Sequence, residues 1–312
     1  MARSGRLFRL YLEVYQAAVW VIERSGPLAP TLVKISGRLQ SALVPRSYSV
    51  PNPVYVDNLC VYHTEAPLAA RLLAMGLYER DMLHTLRNHV RVGMTVLDVG
   101  ANVGLFSLVA AQIVGETGAV WSFEPVPHVL NLLRTNVERN RLTQIIHVVP
   151  SAVGNVARPL LIYIDTEASG WSSFYEDAFA GQTGHASSQH QALEVACTTL
   201  NQWAAEHDWP RVDFMKMDIE GAEPAALEGM RELSRRNPHL RLIVEFNART
   251  LAAAGTDPLI FFERLHQCHF DRISLIEDPL RPLRIPDDVA ALLAAMTPEH
   301  ESVNLLCEKS ST

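Results

Sequence analysis

Four acidic residues stand where apolar runs of this 312-residue chain come to an end: Asp98 in VLDVG, Glu124 in VWSFEP, Asp218 in FMKMDIEG and Glu245 in LIVEFN. A carboxylate in such a setting is costly unless something pairs with it or hydrogen-bonds to it. Carboxylates favour cations and hydroxyl donors, and they repel phosphate. Behind Asp98 comes a turn built on Gly100, Asn102 and Gly104, followed by the apolar pattern LFSLVAA. A dinucleotide fingerprint begun at Gly100 needs further glycines at 102 and 105, where the chain has Asn102 and Leu105. The pyrophosphate cradle is therefore missing, although Gly100 and Gly104 still allow a tight turn and close approach of a ligand. A P-loop is absent as well, since the lysines are Lys34, Lys216 and Lys309 and none follows a glycine run.

The ligand that suits such a turn carries an adenosine and a positive charge but no phosphates. S-adenosylmethionine answers that description, with Glu124 placed to accept hydrogen bonds from both ribose hydroxyls. The stretch KMDIEGAEP adds a second group of candidates. A strand's two-residue period puts Lys216 and Asp218 on one side, Met217 and Ile219 on the other. Asp218, at the strand end, points into the crevice, and Glu220 follows it. Glu223 falls in the first turn of the next helix, where an acid complements the helix dipole and acts as a cap. Glu245 has two readings. It forms a buried ion pair with Lys216, or it converges with Asp218 and Asn247 on substrate or on a divalent cation through hard oxygen ligands.

These residues need a scaffold, and the pattern from residue 95 onward describes one. Strands are expected over 95–100, 119–125, 145–153, 193–198, 212–218, 240–246, 271–276 and 303–307, with a short ribbon over 160–165. Helices are expected over 103–114, 127–140, 200–208, 224–233, 258–268 and 287–295. Nearly all-apolar strands alternating with helices predict an α/β fold, a mostly parallel sheet covered on both faces. Ligands in such sheets bind beyond the carboxyl ends of the strands, where the strand order reverses. Residues 166–191, rich in Gly, Ser, His and Gln, read as a functional loop over that crevice. Trp171 and Tyr175 are suited to stack on a sugar face, and Ser172 and Ser173 to bond hydroxyls. His185 and His190 read as ordinary loop surface. His266, Cys268 and His269 lack the second ligand pair a zinc site needs.

VLDVGANVGLFSLVAA, SFEP, SAVGN and DFMKMDIEGAE, in this order and spacing, resemble the successive motifs of the FkbM-type methyltransferases over about residues 55–310, and SVNLLCEK is similar to the last strand of that fold. The resemblance implies a Rossmann-like class I methyltransferase fold: a mostly parallel, seven-stranded sheet with an antiparallel last strand. It also implies S-adenosylmethionine-dependent methyl transfer, commonly to a hydroxyl oxygen, here on a sugar, glycan or secondary metabolite. By the same resemblance Asp98, Gly100, Asn102 and Gly104 line the methionine end, Glu124 holds the ribose, and Ser151 and Ala152 border adenine. Asn201 stands where the family often has an acid, and it reads as a helix cap. Transfer to an alcohol requires aligning the acceptor oxygen, excluding water and removing a proton. Asp218, Glu220, Glu245 and Lys216 are the candidates for that work.

A formal net charge of −7 argues against a general nucleic-acid binder, and base methylation lacks its N/D-P-P-Y/F motif. Cys60, Cys197, Cys268 and Cys307 are scattered, without a C-x-x-C pair, and read as buried thiols of a reducing, cytoplasmic compartment. Residues 1–50 are locally basic, with seven Lys or Arg against Glu13 and Glu23. Leu7, Leu10, Val14, Ala17 and Val21 fall at helical spacing, as do Leu32, Ile35 and Leu39. A helical extension over 1–54 is therefore expected ahead of a methyltransferase domain over 55–312. The extension suits packing on the core or on a second subunit, or peripheral membrane contact. Its apolar stretch over 17–22 is too short to span a bilayer, and a signal-peptide cleavage site is missing. Two other classes share this architecture. A nicotinamide-dependent oxidoreductase conflicts with the broken glycine fingerprint, and a non-catalytic cofactor-binding interaction protein with the intact KMDIEG.

Overall fold

The computed structural model describes residues 52–63, 79–165, 172–173, 190–296 and 302–310. The expected helices over 1–50, and Trp171, Tyr175 and His185 of the polar loop, lie outside the described residues.

Strands β1 (Val54–Val56) and β2 (Leu59–Val61) form an antiparallel hairpin. Strands β3 (Thr95–Val99), β4 (Ala119–Phe123) and β5 (Ile146–Val149) follow, then the short β6 (Ala152–Val153). Strands β7 (Leu160–Asp165), β8 (Ser172–Ser173) and β9 (His190–Val195) make a three-stranded antiparallel sheet, and β10 (Cys197–Thr198) pairs with β6. Completing the set are β11 (Phe214–Met217), β12 (Arg241–Asn247), β13 (Arg272–Leu275), β14 (Asp278–Pro282) and β15 (Ser302–Glu308).

The central sheet has eight strands in the order β14-β13-β15-β12-β11-β3-β4-β5. From β5 to β12 neighbouring strands are parallel, and β15 runs antiparallel to both β12 and β13. Strand order steps outward from β3 in both directions, so the switch point lies between β3 and β11. The expected seven strands become eight because β14 pairs with β13 as an added edge. Pro279 and Pro282 lack an N–H, which an edge strand tolerates and a central strand does not.

Burial explains why the middle of the sheet reads as unbroken apolar runs. Val96, Leu97 and Val99 of β3, Phe214, Met215 and Met217 of β11, and Leu242, Ile243 and Val244 of β12 are all buried, so both faces are covered. The helix Leu105–Val114 is buried along nearly its whole length against this sheet. Two expected elements split. The strand over 145–153 breaks at Pro150, which cannot donate to a ladder, and Ala152–Val153 turns away to pair with β10. The helix over 224–233 becomes Glu223–Glu228 and Arg231–Arg236 around the poor helix former Gly229. Helices Arg80–His89 and Ala248–Ala253 were not expected.

Register places the chemistry. Asp98 lies opposite Lys216 of β11 and opposite Ser122 of β4, so three polar side chains share one row on one face of the sheet. Lys216 in turn lies opposite Ile243, so Glu245, two residues on, faces the same side one step nearer the carboxyl end.

Candidate active site

The row around Asp98 is a closed polar network inside an apolar sheet. Asp98 is fully buried, and Ser107 Oγ, from the covering helix, donates to its Oδ2 at 2.5 Å. Ser107 Oγ also lies 2.6 Å from Ser122 Oγ. Lys216 Nζ is 3.9 Å from Asp98 Oδ1, which has no hydrogen bond among the described residues. Burial raises the Asp98 carboxyl above its ordinary range, while Lys216 and the Ser107 hydroxyl pull it back. Lys216 donates to the Gly100 carbonyl at 2.8 Å and lies 3.4 Å from Asp218 Oδ2. One buried ammonium therefore ties the turn after β3 to the end of β11.

The turn itself is held from both sides. Gly100 has φ +79°, and a Cβ there would lie 1.9 Å from the Asp218 backbone oxygen. Gly104 has φ +91°, and its Cβ would lie 2.4 Å from Leu133 Cδ1. The space a side chain needs is filled by the protein at both positions. These glycines therefore let chain pack closely on chain at both ends of the turn. Asn102, at φ +51°, donates its N–H to Glu124 Oε2 at 2.9 Å and accepts the Val103 N–H on Oδ1 at 2.8 Å. Val126 N–H occupies Glu124 Oε1 at 2.9 Å. Among the described residues each Glu124 oxygen keeps a second acceptor position. Burial raises this carboxyl to about 7, with the two backbone N–H groups acting against the rise. Ser151 is buried just past β5, its hydroxyl donating to the Ala152 carbonyl at 3.0 Å.

The far side of the switch point is built differently. Asp218, Glu220 and Glu245 each bring one carboxylate oxygen within 4.8 Å of the others. Burial, then repulsion from Asp218 and Glu223, raises Glu220 to about 8. Glu245 is pushed well above its ordinary value by burial and by Asp218, Glu220 and Glu223 in turn. Its Oε2 is buried without a hydrogen bond among the described residues. Lys216 pairs with Asp98 and Asp218, while Glu245 faces like charge from Asp218, Glu220 and Glu223. Hard oxygens at this spacing could hold a divalent cation.

Several candidates turn out to be caps. Glu223 lies in the first turn of Glu223–Glu228, as expected, and accepts the Ile219 and Gly221 N–H groups of the loop before it at 2.8 and 2.9 Å. Asn247 leaves the cation set, because its Oδ1 accepts the Arg249 and Thr250 N–H groups at the start of Ala248–Ala253. Thr199 caps the helix Leu200–Glu206, while Asn201 accepts the Leu233 N–H at 2.9 Å and caps a neighbouring helix. Cys268 Sγ bonds the Leu227 carbonyl and His266 faces Asp271, and among the described residues the His–Cys–His run is not part of a group spaced to hold a metal.

Three participants escaped the sequence reading. Ser107 and Ser122 were legible in principle, as lone hydroxyls in apolar runs that must find partners. Glu79 was not, since an acid before a helix is ordinary. It sits at φ +51° ahead of Arg80–His89, its carboxyl raised to about 7 by burial and by Asp218 and Asp98, against the pull of Lys216.

Among the described residues no helix is long and apolar enough to cross a membrane. The chain is similar to a protein-L-isoaspartate O-methyltransferase of Methanothrix thermoacetophila, 34% identical over 34% of this chain and 50% of that protein. It is similar to the 31-O-demethyl-FK506 methyltransferase FkbM of Streptomyces tacrolimicus, 28% identical over 50% of this chain and 65% of that protein. It is also similar to the hexuronic acid methyltransferase AglP of Haloferax volcanii, 23% identical over 64% of this chain and 77% of that protein. The chain spans half or less of the length of the two isoaspartate methyltransferases it matches. The model of the methyltransferase FkbM domain matches residues 98–271, more than half of the chain, from the Asp98 turn through both carboxylate groups. This chain belongs to the FkbM methyltransferase family.

Proposed function

We propose that residues 55–312, preceded by an extension over 1–54, form an S-adenosylmethionine-dependent methyltransferase that acts on a hydroxyl of a sugar, glycan or secondary metabolite. The observation that carries this reading is the pair of buried carboxylates, Asp98 and Glu124, at adjacent strand ends beside the switch point. Both are already held by the chain's own donors, and among the described residues both keep an unused acceptor position. Glu124 fits a ribose, because two hydroxyl donors would stabilise a carboxylate whose charge burial disfavours. Asp98 has no exposed surface, so it would act on the methionine end through Lys216 and the Gly100 turn. Asn102 and Gly104 shape that turn, and Ser151 and Ala152 would border the base.

When bound, the cofactor supplies a methyl group on a positively charged sulfur. The chain's part is to align the acceptor oxygen and take its proton. Glu220, raised to about 8, holds a proton at a strength suited to a base near neutral pH. Asp218 and Glu245 would orient the acceptor, directly or through a divalent cation shared with Glu220. Lys216 is a positioning residue that fixes Asp218. The names of the FkbM and AglP relatives, and a net charge of −7, support a small-molecule or sugar acceptor over nucleic acid. Four free cysteines support a cytoplasmic setting.

Calorimetry tests the reading. S-adenosylmethionine and its demethylated product should both release heat on binding the wild-type chain. Loss of two hydrogen bonds to a charged group in Glu124→Ala should weaken that binding by about 100-fold or more. No heat from either nucleoside in the wild type overturns the proposal.

A further inference from the structure

Helix Pro127–Arg139 carries two asparagines, Asn136 and, at its C-cap, Asn140, that treat the β1–β2 hairpin as if they were a neighbouring strand. Asn140 accepts the Cys60 N–H on Oδ1 at 2.8 Å and donates Nδ2 to the Cys60 carbonyl at 2.7 Å. Asn136 does the same to Tyr62, at 2.7 and 2.8 Å. The match is geometric. Four residues of helix advance about 6 Å, and two residues of strand advance about 6.6 Å, so one amide per helical turn meets every second residue of an extended chain. The hairpin's free edge is thereby satisfied without another strand.

The two amides differ in their remaining hydrogen. Asn140 spends it on the Asn136 carbonyl of its own helix, at 2.7 Å. Asn136, which has no exposed surface, spends it on the Val103 carbonyl at 2.7 Å. Val103 follows Asn102, whose side chain accepts the Val103 N–H and whose own N–H reaches Glu124. Val103 is therefore held at both its N–H and its carbonyl, and the hydrogen bonds link Tyr62 through Asn136, Val103 and Asn102 to Glu124.

We propose that Asn136 is a positioning residue for the cofactor turn: it locks the Val103 carbonyl, and with it the Asn102 N–H aimed at Glu124, to the N-terminal hairpin. This rests on the reading of Glu124 as the ribose carboxylate. Asn140 supplies the control, since it holds the same hairpin in the same way and does not touch the turn. The experiment compares Asn136→Ala with Asn140→Ala in the full chain. Amide hydrogen exchange over residues 54–62 should quicken in both variants, while exchange over 99–105 should quicken in Asn136→Ala alone. The dissociation constant for S-adenosylmethionine should rise about tenfold in Asn136→Ala, the worth of one buried hydrogen bond, and stay within about twofold in Asn140→Ala. Turnover at saturating cofactor should match the wild type in Asn140→Ala. Where Asn136→Ala does not fold, Asn136→Ser, which is neutral and too short to serve both Tyr62 and Val103, takes its place. Unchanged exchange over 99–105, or equal weakening of the cofactor by both variants, overturns the inference. Absence of cofactor binding in the wild type would instead overturn the proposed function, and the exchange contrast would still decide the role of Asn136.

Discussion

The two sides of the switch point carry the same chemical group in different surroundings. At the ends of β3 and β4, Asp98 and Glu124 are surrounded by donors: a serine hydroxyl, a lysine and two backbone N–H groups. Past β11 and on β12, Asp218, Glu220 and Glu245 crowd one another, and Glu245 keeps a buried oxygen with no hydrogen bond among the described residues. The first side is preorganised, so a ligand there would meet groups already fixed in place. The second stores repulsion that a proton, a cation or a hydroxyl donor would relieve. A side that must hold a cofactor in one pose gains from the former. A side that must accept a proton during a reaction gains from the latter.

The most damaging test of this contrast is Gly100→Ala. A methyl group at φ +79° would sit 1.9 Å from the Asp218 carbonyl oxygen, against backbone that has no rotamer to change. Left-handed strain and overpacking together should cost about 3 kcal/mol or more. Denaturant titration should report that loss, and cofactor binding should disappear with it, because the displaced turn carries Asn102. Near-normal stability would show that the junction between the two sides is soft, and the preorganised side would lose its defining property.

How much of this the residues themselves revealed depends on how local the cause is. The acids at strand ends were legible because a charge in an apolar run has few explanations. Glu223 was legible as a cap for the same kind of reason. Asn247 misled, and Asn201 caps a helix other than its own, because an asparagine amide serves a helix end, a ligand or a distant backbone group equally well, and only the fold chooses. The pairing of Lys216 with Asp98 needed the β3–β11 register, which puts residues 118 positions apart side by side. Strand β14 and the break at Pro150 followed from which strands lie at an edge, a property of the assembled sheet.

Glu245→Gln acts on the crowded side alone and tests it through pH. Glu220 holds its proton up to about 8 in the fold, against an ordinary value of 4.5, and Glu245 is shifted the same way. A raised folded value means that the folded state binds protons more tightly than the unfolded chain. Stability from this side is therefore greatest below the ordinary carboxyl range and is lost as pH rises toward about 8. The melting temperature of the wild type should fall over that interval. In Glu245→Gln the fall should be shallower, and Glu220 should titrate nearer its ordinary value. A slope identical in both proteins would mean that the three carboxylates do not feel one another.

The smallest effect should come from Asn247→Ala, and its smallness is the point. Asn247 ends β12 two residues past Glu245, where an amide could well have met a substrate or a cation. Its oxygen instead accepts two backbone N–H groups of Ala248–Ala253. Removing an N-cap side chain costs about 1 kcal/mol. The variant should therefore melt slightly earlier while its turnover and its apparent affinity for the acceptor stay unchanged. Turnover measured beside thermal melting separates the alternatives, because a ligand-holding amide would do the reverse. If activity collapsed at unchanged stability, the crowded side would have a fourth member. Its three carboxylates would then form part of a larger polar site instead of a group set apart by mutual repulsion.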